Sequence, residues 1–288
     1  MCDDHILEDM ADRKANVSRR TFGALSIGAG FIAALPRVAN ALDIKGSDIV
    51  VKTPDGDAEC YFVAPTTGKH AAVLVWTDIF GLRPAFKQMA DRMAESGYAV
   101  LTPNPYYRTN KIAAIPTGLD FSKPDDRAQL MKLAGTLSPA THAADAKTMV
   151  AWLDAHASVD TKKKIATTGY CMGGPMVVRT AATVPNRIGV AASFHGGGLV
   201  TKNENSPHLL LPQTKAQFLF AIAENDDKGQ PEAKDVLRQE CDKAKIKAEI
   251  EVYSAAHGWC PPDSAVYNKD QSEKAWSRLL ATMKSGLA

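Results

Sequence analysis

The chain has 288 residues, and its 34 Lys and Arg nearly balance 32 Asp and Glu, for a net charge of +2. So weak a field leaves no footprint for nucleic acid or an anionic membrane surface. With 45% hydrophobic residues, no low-complexity tract and no internal repeat, the chain is neither disordered nor a repeat protein and can bury one full core.

Ser18-Arg19-Arg20-Thr21-Phe22 is a twin-arginine pattern, followed by a charge-free run of 16 residues from Thr21 to Pro36. A membrane-spanning helix needs ~20 apolar residues, so the run reads as a cleaved signal rather than an anchor. Ala39-Asn40-Ala41 supplies a small-x-small cleavage site. The expected organisation is a twin-arginine signal peptide over residues 1–41 and one domain over 42–288. The product would be periplasmic or secreted, with no membrane span after processing.

Ile49 to Thr53 and Ala58 to Ala64 flank Pro54-Asp55-Gly56-Asp57, the pattern of a β-hairpin with an acidic glycine turn. Lys69 to Trp76 is nearly continuous in apolar residues, as a buried parallel strand requires. Phe86, Met89, Ala90 and Met93 have helical spacing, and Gly97 stops that helix before the strand Tyr98 to Thr102. Pro103 to Pro124 reads as an irregular loop over the site. Ala146, Met149, Val150 and Leu153 mark a helix, and Lys164 to Thr168 the next strand. Pro175 to Thr183 reads as a helix, and Gly189 to Phe194, Ala216 to Ala223 and Ala248 to Tyr253 as strands. Trp276, Leu279, Leu280 and Met283 close the chain with a helix. Strands alternating with helices predict an α/β fold: a mostly parallel central sheet with helices on both faces.

Gly169-Tyr170-Cys171-Met172-Gly173-Gly174 lies between the predicted strand and helix. A small-x-nucleophile-x-Gly turn in that context is the nucleophile elbow of α/β-hydrolases, here with cysteine as nucleophile. Side chains at Gly169 or Gly173 would strike neighbouring backbone. A thiol at a helix N-terminus is favoured as thiolate. Cys60 and Cys241 fall on apolar faces and read as core fillers, and no Cys-x-x-Cys pair is present.

A nucleophilic thiol needs a base and an orienting acid, in the chain order nucleophile, acid, histidine. Asp226 follows the strand ending at Ala223, and His257 follows the strand ending at Tyr253. Both lie beyond strand C-termini, where sites of parallel sheets form. Asp227 is the neighbouring alternative acid. His195 ends a strand near the same rim and reads as pocket lining or backbone support, with a role as base the other option. His70, His142, His156 and His208 read as surface residues. In this fold one oxyanion-hole N–H comes from the loop after the first parallel strand and one from the residue after the nucleophile, giving Ile79 and Met172. Asp78 would set a carboxylate near the thiol or cap the helix beginning at Arg83.

Thr77-Asp78-Ile79-Phe80-Gly81, Pro105-Tyr106-Tyr107-Arg108, the Cys171 elbow, Ala223-Glu224-Asn225-Asp226 and Ala256-His257-Gly258 together resemble the dienelactone hydrolase family, over about residues 48 to 284. The resemblance implies a Cys171–His257–Asp226 triad and hydrolysis of an enol-lactone to maleylacetate without a cofactor. It also implies a thiol-switching acid at Asp78 and an arginine at Arg108 for an anionic substrate, with Tyr107 and Trp259 in the substrate pocket. Asp78 is one methylene shorter than the family's usual Glu. The family's second arginine would fall within Trp259-Cys260-Pro261-Pro262, which has none. The expected partner is a small ester or lactone and the expected state a monomer. The alternative is a thiol redox or ligand-binding protein on the same fold, with Cys260 as resolving cysteine.

Overall fold

The structure is a computed structural model that describes residues 32–287; the twin-arginine pattern lies outside the described residues. Eight strands form one sheet: β1 (Ile44–Thr53), β2 (Gly56–Pro65), β3 (Ala72–Trp76), β4 (Ala99–Pro103), β5 (Ile165–Tyr170), β6 (Ile188–Phe194), β7 (Gln217–Ala223) and β8 (Ala248–Tyr253). The spatial order is β1-β2-β4-β3-β5-β6-β7-β8. The hairpin β1–β2 joins antiparallel to β4, and β3 to β8 run parallel.

Helices α1 (Pro84–Glu95), α2 (Pro124–Ala134), α3 (Pro139–Ala155), α4 (Gly173–Thr183), α5 (Glu224–Gly229), α6 (Ala233–Lys243) and α7 (Lys269–Gly286) connect or close the strands. Alternation along each strand divides the core in two. Leu74, Trp76, Phe218 and Phe220 face one layer with Met149, Met176 and Leu237 of α3, α4 and α6. Val73, Val75, Leu219 and Ala221 face the other with Phe86 and Met93 of α1 and Leu279 and Met283 of α7. The expected mostly parallel α/β architecture is therefore the observed one.

Helix starts follow local chemistry. Ser138 and Thr141 form a reciprocal capping box at α3, with Pro139 in the first turn. Asn268 accepts the Gln271 N–H at α7. Two parts of the chain differ from the sequence reading. The stretch after β4 contains a short 3-10 turn, Ile112–Ala114, and α2 begins where the expected loop ends, at Pro124. Only Leu130 and Leu133 of α2 are buried, so it has too narrow an apolar stripe to announce itself. His142 and His156 are not simple surface residues either. Both His142 ring nitrogens are buried. His156 packs 4.2 Å from Phe62 and 5.0 Å from Trp152. No helix among the described residues is long and apolar enough to cross a membrane.

Candidate active site

The elbow forms because three glycines admit close backbone approach. A Cβ at Gly173 would lie 2.5 Å from the Trp76 carbonyl oxygen, and one at Gly174 2.5 Å from Gly196 Cα. A Cβ at Gly169 would run into the Gly173 carbonyl. Between them Cys171 adopts φ +52°, a left-handed conformation costing a non-glycine residue on the order of 1–3 kcal/mol. Its N–H meets Phe194 O at 3.1 Å, tying the elbow to β6.

His257 stands on the loop after β8. Its Nδ1 lies 2.8 and 3.0 Å from the Asp226 carboxylate oxygens. Asp226 sits in α5, the short helix that begins where β7 ends. The adjacent Asn225 accepts the His257 backbone N–H at 2.7 Å, so one turn grips both the ring and the main chain. Asp227 instead pairs with Lys234 at 2.6 Å. Of the two neighbouring acids, the structure brings Asp226 to the histidine.

The loop after β3 abuts the elbow, since Gly173 packs against the Trp76 and Thr77 carbonyls. Neither the Ile79 nor the Met172 N–H donates to a backbone carbonyl among the described residues. Tyr106, which sequence reasoning passed over in favour of its neighbour, joins these two segments. Its hydroxyl donates to Ile79 O at 2.7 Å and lies 3.4 Å from Met172 Sδ. Tyr106 is fully buried.

Several expected pocket residues have other occupations. Tyr107 is buried in the core layer of Leu74, Trp76 and Met149, with its hydroxyl 2.8 Å from Asp145 and 3.0 Å from Thr53. Arg108 makes paired hydrogen bonds to Asp145 at 2.7 and 2.9 Å and reaches Asp55 at 2.7 Å, so two carboxylates already match its charge. Trp259 is wholly buried, stacked 5.3 Å from Tyr253, and offers no face to a substrate. Asp78 accepts both Arg83 Nη groups at 2.7 and 2.9 Å and the Phe80 N–H at 3.0 Å. Arg83 also grips Asp263 at 2.6 and 2.9 Å, and the two carboxylates hold its pKa above the ordinary arginine range against the opposing effect of burial. Asp78 thus ties the loop after β3 to Arg83 at the start of α1.

His195 fills the space behind the site and is fully buried. Its ring centroid lies 5.0 Å from those of His257 and Trp259. Burial, then the charge of His257, push its pKa well below the ordinary histidine value. Among the described residues, Cys60, Cys171, Cys241 and Cys260 form no disulfide. Burial raises Cys60 to about 12 and Cys241 to about 11, which fits their reading as core fillers. Cys260 lies in an apolar wall with Tyr170, Phe194 and Trp276, and burial raises it as well.

Comparison with known proteins gives consistent relatives. The model of the dienelactone hydrolase family matches residues 58–287. A protein of Salmonella typhi provisionally named carboxymethylenebutenolidase is 26% identical over 262 residues, covering 80% of this chain and 89% of its own. The carboxymethylenebutenolidase of Rhodococcus opacus is 28% identical over 143 residues, covering 48% of this chain and 49% of its own. A crystal structure of a provisionally named dienelactone hydrolase from Klebsiella pneumoniae superposes with a TM-score of 0.73 at 23% identity, over 84% of this chain and 99% of that one. With the elbow, the sheet and a family match over most of its length, the chain belongs to the dienelactone hydrolase family.

Proposed function

We propose that this hydrolase cleaves an ester or lactone through a Cys171 thioester, with His257 as base and Asp226 as orienting acid. The observation that carries the reading is the Asp226–His257 hydrogen bond at 2.8 Å on the strand rim that also bears the left-handed Cys171 turn. A carboxylate at Nδ1 fixes the tautomer and leaves Nε2 for the nucleophile.

Cys171 gives up its proton to His257 and its sulfur attacks the carbonyl carbon, forming a C–S bond as the carbonyl π pair moves to oxygen. The Ile79 and Met172 N–H groups take up that oxyanion; one such donor is worth ~3 kcal/mol. Collapse breaks the C–O bond, and His257 protonates the departing alkoxide. Water then attacks the thioester with His257 again as base, releasing the acid and the thiol. The reacting group is an ester or lactone carbonyl. Arg108, matched by Asp55 and Asp145, adds no unbalanced positive charge to its recognition.

Turnover of p-nitrophenyl acetate by wild type and Cys171→Ala tests the reading. The variant should lose roughly a thousandfold or more in kcat/KM. Equal turnover would refute the role of Cys171.

A further inference from the structure

Two of the four non-glycine residues with positive φ among the described residues are Cys171, at +52°, and His195, at +39°. They are joined. The Cys171 N–H lies 3.1 Å from His195 Nδ1 as well as 3.1 Å from Phe194 O, so the elbow's own amide is shared between a ring nitrogen and a strand carbonyl. The His195 N–H in turn donates to Ala221 O of β7 at 2.7 Å.

This contact fixes the chemical state of the ring. An Nδ1 that accepts an N–H carries no proton, so the neutral ring holds its proton on Nε2. That atom is buried with no hydrogen-bond partner among the described residues. A second proton would face N–H against N–H and set a cation 5.0 Å from the His257 ring. The groups around it come from every neighbouring strand end: Tyr170 at the end of β5 and Cys171 after it, Ala221 of β7, and His257 and Trp259 after β8, with Asp226 beyond His257. A buried, unpartnered N–H is a cost that a leucine of similar size would avoid.

We propose that His195 is a positioning residue: as the neutral Nε2–H tautomer it holds the Cys171 amide in the left-handed turn and walls the His257 ring, so that thiol and base keep one relative geometry. The proposal rests on Cys171 and His257 being the reacting pair. It assigns His195 no contact with substrate, since it is fully buried.

Two variants separate the acceptor from mere volume. His195→Asn places a carbonyl oxygen where Nδ1 stood, and His195→Leu fills the space without an acceptor. The readouts are kcat on p-nitrophenyl acetate and the pH profile of Cys171 alkylation by iodoacetamide. His195→Leu should lose about tenfold to a hundredfold in kcat, the range an unmade buried hydrogen bond gives, with its alkylation profile moved to higher pH. His195→Asn should recover most of both. Leucine behaving as wild type, or asparagine as impaired as leucine, would overturn the proposal. Nitrogen NMR of the wild-type histidines decides the matter even where the leucine variant does not fold. A neutral Nε2–H signal for His195 throughout pH 5–8 is expected, and an Nδ1–H tautomer or an imidazolium in that range would overturn it. Alkylation and NMR need no substrate. An enzyme inert to every ester would therefore sink the proposed function while leaving these two readouts to judge His195.

Discussion

The tyrosine pair at 106 and 107 puts opposite duties on adjacent side chains. Tyr106 reaches Ile79 O and Met172 Sδ, whereas Tyr107 reaches Thr53 and Asp145. Both stand in one stretch of the family pattern, and which of the two turns toward the elbow depends on how the chain leaves β4, which residue identity does not encode. Cys171, Asp226 and His257 were legible because each has a sequence cue: a glycine-framed turn, or a position just past a strand. Tyr106→Phe keeps the ring and removes the bond to the loop that presents Ile79. Its kcat on p-nitrophenyl acetate should fall about tenfold, as expected from about 1–2 kcal/mol of lost positioning, with little change in KM. An unchanged kcat would detach Tyr106 from the proposed oxyanion hole.

Among elements, β3, β4 and β7 were legible because they are largely buried and rich in apolar residues, and the edge strand β8 because apolar and charged residues alternate along it. Helix α2 was missed because just two of its side chains enter the core. The loop between β3 and α1 carries a tie that the sequence does not show: Arg83, five residues after Asp78, pairs with it and with Asp263 on the loop after β8. An ion triad between two loops depends on tertiary placement and has no local spacing to betray it. All three side chains are largely buried, so Arg83→Met leaves two carboxylates without their cation and should cost about 3–5 kcal/mol in urea unfolding. A cost under about 1 kcal/mol would mean that the triad behaves as an exposed ion pair.

Over the whole molecule, stability should respond to acid through two buried histidines, His142 and His195. Burial first, then Arg179 and Arg108, depress His142 from the ordinary 6.5 to about 4. Burial also depresses His195. Between about pH 4 and 6.5 the unfolded chain binds more protons at His142 than the folded one, so unfolding free energy rises with pH across that window, and the depressed His195 acts with the same sign. The stability they contribute is present above pH 6.5 and is lost on acidification. The melting temperature should therefore fall between pH 6.5 and 4, and less steeply in His142→Gln. Identical slopes would remove His142 from the account.

The backbone bonds at the strand ends form a staircase: Cys171 N–H to Phe194 O, His195 N–H to Ala221 O, Glu224 N–H to Ala255 O. The sheet's ladder thus continues past its strands, through the residues proposed to do the chemistry. These amides should wait on global opening before they trade hydrogen for deuterium, as the central strands do, while the stretch from 109 to 123 exchanges early. Rapid labelling at Cys171 and His195 would show the rim breathing apart from the sheet. Slow labelling would make catalytic geometry and global folding a single cooperative event in time.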